Sequence, residues 1–275
     1  MPELPEVETI RTTLSKKIIG LTIVGVTVKR PEIIPGFSPE EFSDKITGSE
    51  IIKLGRRGKY LLLYLTDAQV LVVHLRMTGQ LVYAEPETEL AKHTHAVFFL
   101  SNGQELRFTD MRRFGRLILT TLAGLSLVSG LKDLGLEPLD QEFTPNYLQR
   151  KLLNRRTRIK SLLLDQAFIA GLGNIYVDEA LHRAGLNPKR PASTLSPEEI
   201  TLLYHSIKAV IQEGIQNRGT TFKDYVDGEG RKGSFQELLR VYNRAGSPCP
   251  NCGTAIAKSK VSSRSSYFCP ACQPE

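Results

Sequence analysis

The chain has 275 residues, 41% hydrophobic and 24% charged, with 36 Lys and Arg against 29 Asp and Glu. That length and balance leave room for a sizeable core in each of two domains, and exclude disorder, collagen and coiled coil as dominant states. The formal charge of +7 is unevenly spread: residues 1–145 hold 17 basic and 18 acidic side chains, residues 146–275 hold 19 and 11, and a basic half favours polyanionic partners.

The N-terminus, Met1-Pro2-Glu3-Leu4-Pro5-Glu6, is acidic and lacks a basic stretch followed by an apolar one, so it does not read as a secretory leader. The longest apolar runs, such as Tyr60–Leu65, are strand-length and too short to span a bilayer. An intracellular, cytoplasmic protein is expected. Val7, Ile10, Leu14 and Ile18 fall at helical spacing, Pro5 suits a first turn, and Gly20 a stop. Glu3 and Glu6 then lie near a helix N-terminus, where the dipole favours carboxylates. A small residue after Met1 allows its removal, which leaves Pro2 with a secondary amine able to attack an electrophilic carbon. Glu3 is placed to shuttle a proton. Alone, the same residues also describe a start codon followed by a helix.

Residues 21–120 read as strands. The candidates are Thr22–Lys29, Glu50–Arg56, Lys59–Leu65, Val70–Leu75, Gln80–Ala84, Ala96–Leu100, Glu105–Thr109 and Arg116–Thr120. Val24, Val26 and Val28 alternate with the period of two that a strand requires. Asn102-Gly103 is a hairpin signal. Eight short strands with close turns predict a sandwich or barrel. Arg56-Arg57-Gly58-Lys59 reads alone as a solvated turn. Asp110-Met111-Arg112-Arg113-Phe114-Gly115 sets basic residues beside an aromatic, which suits a wedge in stacked bases, although Phe114 could equally belong to a core. His93 and His95 lack a third ligand and read as structural.

Residues 130–140 read as a linker, after which the pattern turns helical. Helices are expected from Thr144-Pro145 to about Leu153, over Arg158–Asp165, over Asn174–Arg183, and from the capping box Ser196-Pro197-Glu198-Glu199 to about Asn217. Gly171-Leu172-Gly173 before a helix start lets backbone N–H groups approach a phosphate, or simply turns a corner. Residues 219–233, with four glycines, predict a mobile loop. All four cysteines lie at the end, Cys249, Cys252, Cys269 and Cys272, in a C-x2-C-x16-C-x2-C pattern. This fits a four-thiolate zinc site, with two disulfides as the alternative disfavoured in a reducing compartment. A rigid zinc hairpin would carry Arg264 toward phosphate.

Taken together, Met1-Pro2-Glu3-Leu4-Pro5-Glu6-Val7-Glu8-Thr9, Arg56-Arg57-Gly58-Lys59-Tyr60, Leu163-Leu164-Asp165-Gln166 with Gly171-Leu172-Gly173-Asn174-Ile175-Tyr176, and Arg264-Ser265-Ser266-Tyr267-Phe268 before Cys269 resemble the bacterial formamidopyrimidine-DNA glycosylases. The likeness runs in order along essentially the whole chain. It implies an α+β multidomain fold with an N-terminal catalytic β-sandwich (1–130), a linker (131–143), a helix-two-turns-helix DNA-binding domain (144–238) and a C-terminal zinc finger (239–275). It also implies a monomeric base-excision repair enzyme acting on damaged double-stranded DNA, removing oxidised purines and then cutting the strand by β- and δ-elimination.

By the same resemblance Pro2 is the nucleophile and Glu3 the acid/base group. Lys59 and Arg264 serve elimination and phosphate binding, and Glu6 supports the site. His93, Arg112, Arg155, Lys160 and Asn174 match DNA-contacting positions. Met77, Arg112 and Phe114 match the trio that fills the gap left by a flipped base, and the loop 219–233 the one that closes over it. One structural zinc on the four cysteines is the implied cofactor. The hairpin departs from many relatives in having Ser263 and Ser265-Ser266. The sister endonuclease VIII group shares the Pro–Glu start and zinc hairpin, but Leu4 and the Met77/Arg112/Phe114 set favour the purine-specific group. A non-catalytic zinc-ribbon DNA-binding protein would leave Pro2-Glu3 and Lys59 unexplained.

Overall fold

The computed structural model describes residues 1–275. The chain divides into two compact units, one of residues 1–132 with 215–236, the other of residues 133–214 with 237–275.

The first unit opens with helix α1 (Leu4–Ile18), whose Val7, Ile10, Leu14 and Ile18 are fully buried on one face. Each such side chain contributes about 1.5–3 kcal/mol by leaving water. Strand β1 (Ile23–Val28) follows, then helix α2 (Pro39–Ile46). α2 begins with a capping box: Glu41 N donates to Ser38 Oγ (3.1 Å) and Ser38 N to Glu41 Oε2 (2.9 Å). The strand reading of 21–120 contained no helix there, yet Ser38-Pro39-Glu40-Glu41 carries the same signature as Ser196-Pro197-Glu198-Glu199.

Seven further strands complete the unit: β2 (Ile51–Arg57), β3 (Tyr60–Leu65), β4 (Gln69–His74), β5 (Gly79–Ala84), β6 (Thr94–Leu100), β7 (Glu105–Asp110) and β8 (Arg116–Thr121). They form two antiparallel four-stranded sheets, ordered β1-β6-β7-β5 and β2-β3-β4-β8. Leu61, Leu63, Leu71 and Val73 from one sheet share a core with Phe98, Leu106 and Phe108 from the other and with α1, so of the sandwich or barrel that the strand pattern predicts the chain forms the sandwich. The chain changes sheets three times: between β1 and β2, at 75–78 between β4 and β5, and at 111–115 between β7 and β8.

The second unit is helical, with α3 (Pro145–Leu152), α4 (Ile159–Leu163), α5 (Asn174–Arg183) and α6 (Pro197–Gln216), the last two residues of α6 falling in the first unit. Thr144 Oγ1 caps α3 by accepting from Tyr147 N at 3.1 Å, and Glu199 N donates to Ser196 Oγ at the start of α6 (3.2 Å). Phe143, Leu148, Ile159, Tyr176, Leu181, Leu203 and Ile207 are its buried core. The turn before α5 is held by Gln166, which accepts from Gly171 N (3.0 Å) and donates to Leu172 O (2.8 Å). A two-stranded hairpin, β9 (Ala257–Val261) and β10 (Arg264–Phe268), ends the chain. No helix is long and apolar enough to cross a membrane.

Candidate active site

In the first unit Pro2 is buried ahead of α1, while Met1 is 51% exposed. Glu3 and Glu6 are buried with it. Glu6 accepts from Glu3 N through one oxygen (2.8 Å) and from Thr220 N through the other (2.7 Å). A single carboxylate thus fixes both the start of α1 and the loop 219–233, and charge-assisted bonds of this kind are the stronger sort. Gly219, at φ +76°, lies so close that a Cβ would sit 2.8 Å from Glu6 Cγ and Oε1. The backbone conformation and the space both call for glycine. The Tyr225 hydroxyl adds donor contacts to the carbonyls of Glu6 (3.3 Å) and Arg218 (3.0 Å), and Gly228 N donates to Thr13 Oγ1 (3.1 Å). The loop has no helix or strand, but it is bonded along α1 at several points.

Lys59 is buried in the two-residue turn between β2 and β3, where Gly58 adopts φ +55°. Arg56 anchors this turn. Its Nη1 donates to Gly58 O (3.1 Å) and its Nε to Glu8 Oε2 on α1 (2.9 Å). Burial raises the Glu8 carboxyl, but hydrogen bonds and charge from Arg11 and Arg56 outweigh it and hold the group below its ordinary value. The turn carrying Lys59 is thereby tied to the helix that follows Pro2. The run Arg56–Lys59 is therefore more than a solvated turn.

Met77 and Arg112–Phe114 lie on the second and third sheet-crossing loops, which are neighbours because β5 pairs with β7 and β4 with β8. Asp110, fully buried, organises both loops. Its carboxylate accepts from the Thr78 hydroxyl, Arg112 N (3.1 Å) and Gly115 N (2.8 Å). A Cβ on Gly115 would meet the Phe108 ring at 2.5 Å, so the loop closes tightly only with glycine there. Arg112 then sits between its partners, with Nη1 2.8 Å from Met77 Sδ and Cζ 4.9 Å from the Phe114 ring centroid. Met77 is 43% and Phe114 49% exposed. Phe114 is thus outside the core, and the trio forms one apolar and cationic projection. His93 is half-buried and its carbonyl accepts from Asp110 N (3.0 Å), while the His95 ring bonds Asp110 O (2.8 Å).

At the end of β4, just before the loop that carries Met77, lies His74, edge-on to Tyr60. Its Nδ1 accepts from Arg76 N (3.0 Å), a role only the neutral ring can fill. Burial, then the charges of Arg76 and Lys59, press its pKa from 6.5 down to about 3. The unfolded ring protonates near 6.5 and the folded ring only near 3. The stabilisation is therefore complete above pH 6.5 and is lost as pH falls toward 3. Between pH 7 and pH 5 this one group should cost about 2 kcal/mol of stability. Denaturant unfolding of wild type and His74→Leu at both pH values checks it. The variant should lose about 2 kcal/mol less than wild type on acidification, and equal losses would contradict the assignment.

In the second unit Arg155 is exposed after α3, and Arg264 is exposed at the start of β10. Ser262 and Ser263, at φ +47° and +64°, make the hairpin turn before it, a conformation that glycine reaches more easily. Asn174, half-buried at the start of α5, donates to Ser265 O (3.0 Å). Lys160 departs from the expected DNA-contacting role. It is fully buried, paired with Asp178 Oδ1 (2.7 Å) and donating to Ser265 O (2.7 Å). A buried ammonium without a partner is too costly to keep. Here it holds the strand next to Arg264 rather than presenting its own charge to a phosphate. Burial pushes the Asp178 carboxyl up to about 7, against the pull of Lys160 and the Tyr267 amide. Glu179 accepts three amides, from Arg240, Val241 and Tyr242, at 2.8–3.0 Å. Asp178 and Glu179 were invisible as functional residues because nothing local distinguishes a buried carboxylate from a solvated one.

The four cysteines are free, and their sulfurs all lie within 4.8 Å of one another. A tetrahedral zinc with bonds of about 2.3 Å spaces its sulfurs about 3.8 Å apart. The Cys249–Cys272 pair is at 3.9 Å and Cys252–Cys269 at 3.4 Å. Asn251 N and Cys272 N point at Cys249 and Cys269 sulfurs (3.4 Å each), as donors to thiolates do in a zinc knuckle. The residues fit one structural zinc ion.

Residues 1–117 match the Formamidopyrimidine-DNA glycosylase N-terminal domain, residues 134–226 the Formamidopyrimidine-DNA glycosylase H2TH domain, and residues 246–274 the zinc finger found in FPG and IleRS. The chain is 56% identical over 273 residues to a formamidopyrimidine-DNA glycosylase of Pelotomaculum thermopropionicum, covering 99% of each. It is similar to the Lactococcus lactis Fpg solved with DNA containing an abasic site (TM-score 0.93, 35% identity, 99% of this chain and 100% of that one). It is equally similar to the same enzyme solved with DNA containing N7-benzyl-Fapy-dG (TM-score 0.93, 35% identity, 100% of each).

Proposed function

The chain belongs to the formamidopyrimidine-DNA glycosylase family, and from that premise we propose that it is a base-excision repair glycosylase and AP lyase that removes 8-oxoguanine and formamidopyrimidines from duplex DNA. The observation that carries the reading lies within the first unit: Pro2-Glu3 begins the helix to which the Lys59 turn is tied, and Met77, Arg112 and Phe114 project together from adjacent loops. The Lactococcus lactis relatives, solved with abasic and Fapy-type DNA, support the same substrate class.

The target base must leave the stack to be reached. Met77 and Phe114 fill the gap, and Arg112 hydrogen-bonds the orphaned cytosine, which gives preference for the opposite base. Removal of Met1 frees the Pro2 amine. Its lone pair forms a bond to C1′ as the C1′–N bond to the damaged base breaks, and the departing base takes a proton. Glu3 moves protons as the sugar ring opens. A secondary amine gives a permanently charged iminium, which acidifies the C2′ proton. Loss of that proton expels the 3′ phosphate, and a second elimination expels the 5′ phosphate. Lys59 and Arg264 stabilise the negative charge that leaves. Glu6 keeps the loop 219–233 joined to the catalytic helix. Arg155, Asn174 and His93 bind backbone. Bound zinc supplies the fixed geometry on which the Arg264 hairpin is built. The protein acts as a monomer in the cytoplasm.

A panel of duplexes tests the substrate. The reading expects strong cutting at 8-oxoguanine opposite cytosine. Strong cutting at oxidised thymine with none at 8-oxoguanine would assign the endonuclease VIII specificity instead.

A further inference from the structure

Helix α5 carries a third buried polar residue besides Asp178 and Glu179. His182 is 1% exposed, and its Nε2 lies 3.4 Å from Cys249 Sγ. Its Nδ1 is buried and has no hydrogen-bond partner. A buried imidazole costs free energy unless its polar atoms are satisfied, and the sulfur is the partner this ring has. A neutral ring carries one N–H. With nothing to receive a proton at Nδ1, the proton belongs on Nε2, facing the sulfur.

The metal explains why a donor is useful there. Four thiolates around a divalent zinc carry a net charge of −2. Cys249 is almost fully buried, so water cannot disperse its share. The amide donor to this sulfur, Asn251 N, comes from within the cysteine knuckle. His182 comes from another element, 67 residues away in sequence.

We propose that His182 is a positioning residue of the zinc centre: its Nε2–H donates to the Cys249 thiolate, so that zinc binding and the placement of α5 reinforce each other. The same helix begins at Asn174 and pairs Asp178 with Lys160, and both Asn174 and Lys160 hold Ser265 O beside Arg264. A metal-dependent hold on α5 is therefore also a hold on the strand that presents Arg264. Groups that orient metal ligands from outside the coordination shell typically change metal affinity by roughly 10–100-fold when removed.

The test needs no DNA, so it stands apart from the proposed activity. Zinc affinity of the full chain is measured by competition with a chromophoric chelator, for wild type and for His182→Phe, which keeps the ring volume. His182→Phe should bind zinc roughly 10–100-fold more weakly. The sulfur-to-metal charge-transfer band of the Co(II)-substituted variant should move to lower energy, because the sulfur lone pairs lose a donor. A readout on wild type is independent of whether the variant folds. In protein loaded with 113Cd, the His182 Hε2 resonance should show scalar coupling to the metal through the N–H···S bond. Affinity within twofold of wild type with an unchanged spectrum, or absence of that coupling, would overturn the proposal.

Discussion

Cys249→Ser should leave the protein without its metal. Structural zinc in such modules is bound with about 10–16 kcal/mol, and a serine hydroxyl, which does not ionise near neutral pH, cannot replace the thiolate. Cys249 is also the buried sulfur that receives donors from Asn251 and His182, so its loss removes a ligand and leaves both donors facing an oxygen. The surrounding cluster of Val241, Ile256, Tyr267 and Cys269 is small, too small to organise the hairpin unaided. Metal analysis of the purified, reduced variant should find no zinc after dialysis against a mild chelator. DNA binding should weaken because the strand bearing Arg264 is no longer fixed. Stoichiometric zinc in the variant would contradict the four-thiolate site.

Lys160→Met should be the most destabilising single change away from the metal, by about 3–5 kcal/mol. The methionine fills the volume but leaves the Asp178 carboxyl without its counter-charge and Ser265 O without this donor, both inside the unit. Changing Asp178 to leucine as well should recover much of the loss, since a buried pair replaced by apolar groups is often neutral. The sign of the pH dependence follows from Asp178, whose folded pKa of about 7 lies above its unfolded value. A carboxyl raised in this way contributes most when protonated, and its contribution falls as pH rises through 7. The deficit of Lys160→Met should therefore shrink on going from pH 8 to pH 5, because at the lower pH the carboxyl is protonated in both proteins and the missing counter-charge matters less. Denaturant unfolding at both pH values measures this, and a variant within 1 kcal/mol of wild type at pH 8 would show that the pair is not buried as described.

These two residues also show what the sequence could reveal and what it could not. The cysteine spacing is local, and it specified the metal site before any fold was known. Strands β1 to β8 were legible because each alternates or runs apolar between turn residues. α5 was legible to the residue, since Gly173 ends one element and Arg183-Ala184-Gly185 the next. Helix α2 was hidden by the strands around it, although its capping box was readable. Lys160 was different. A lysine ordinarily reads as solvated, and its burial depends on Asp178 and Ser265, 18 and 105 residues away. The residues of loop 219–233 alone predicted only a mobile, glycine-rich loop, and the resemblance added a closing role without its contacts. Its bonds to Glu6 and Thr13 span more than 200 residues of sequence and exist only once α1 and the loop are side by side. Likewise the residue pattern alone left Phe114 open between surface and core, and its 49% exposure on the loop held by the Asp110 carboxylate agrees with the exposed position the resemblance implied.

The central claim is that the chemistry runs through the amine of Pro2. Borohydride reduction during reaction with a duplex carrying 8-oxoguanine opposite cytosine tests it most directly, because it freezes the iminium as a stable bond. Protein lacking Met1 should give a covalent protein–DNA adduct, mapped by peptide mass to the N-terminal peptide. Pro2→Gly, whose primary amine forms an imine that must first be protonated, should reduce the yield roughly 100-fold or more, a loss of at least about 2.7 kcal/mol in barrier terms. An adduct that persists with Met1 still attached, or that maps to a lysine, would contradict the account.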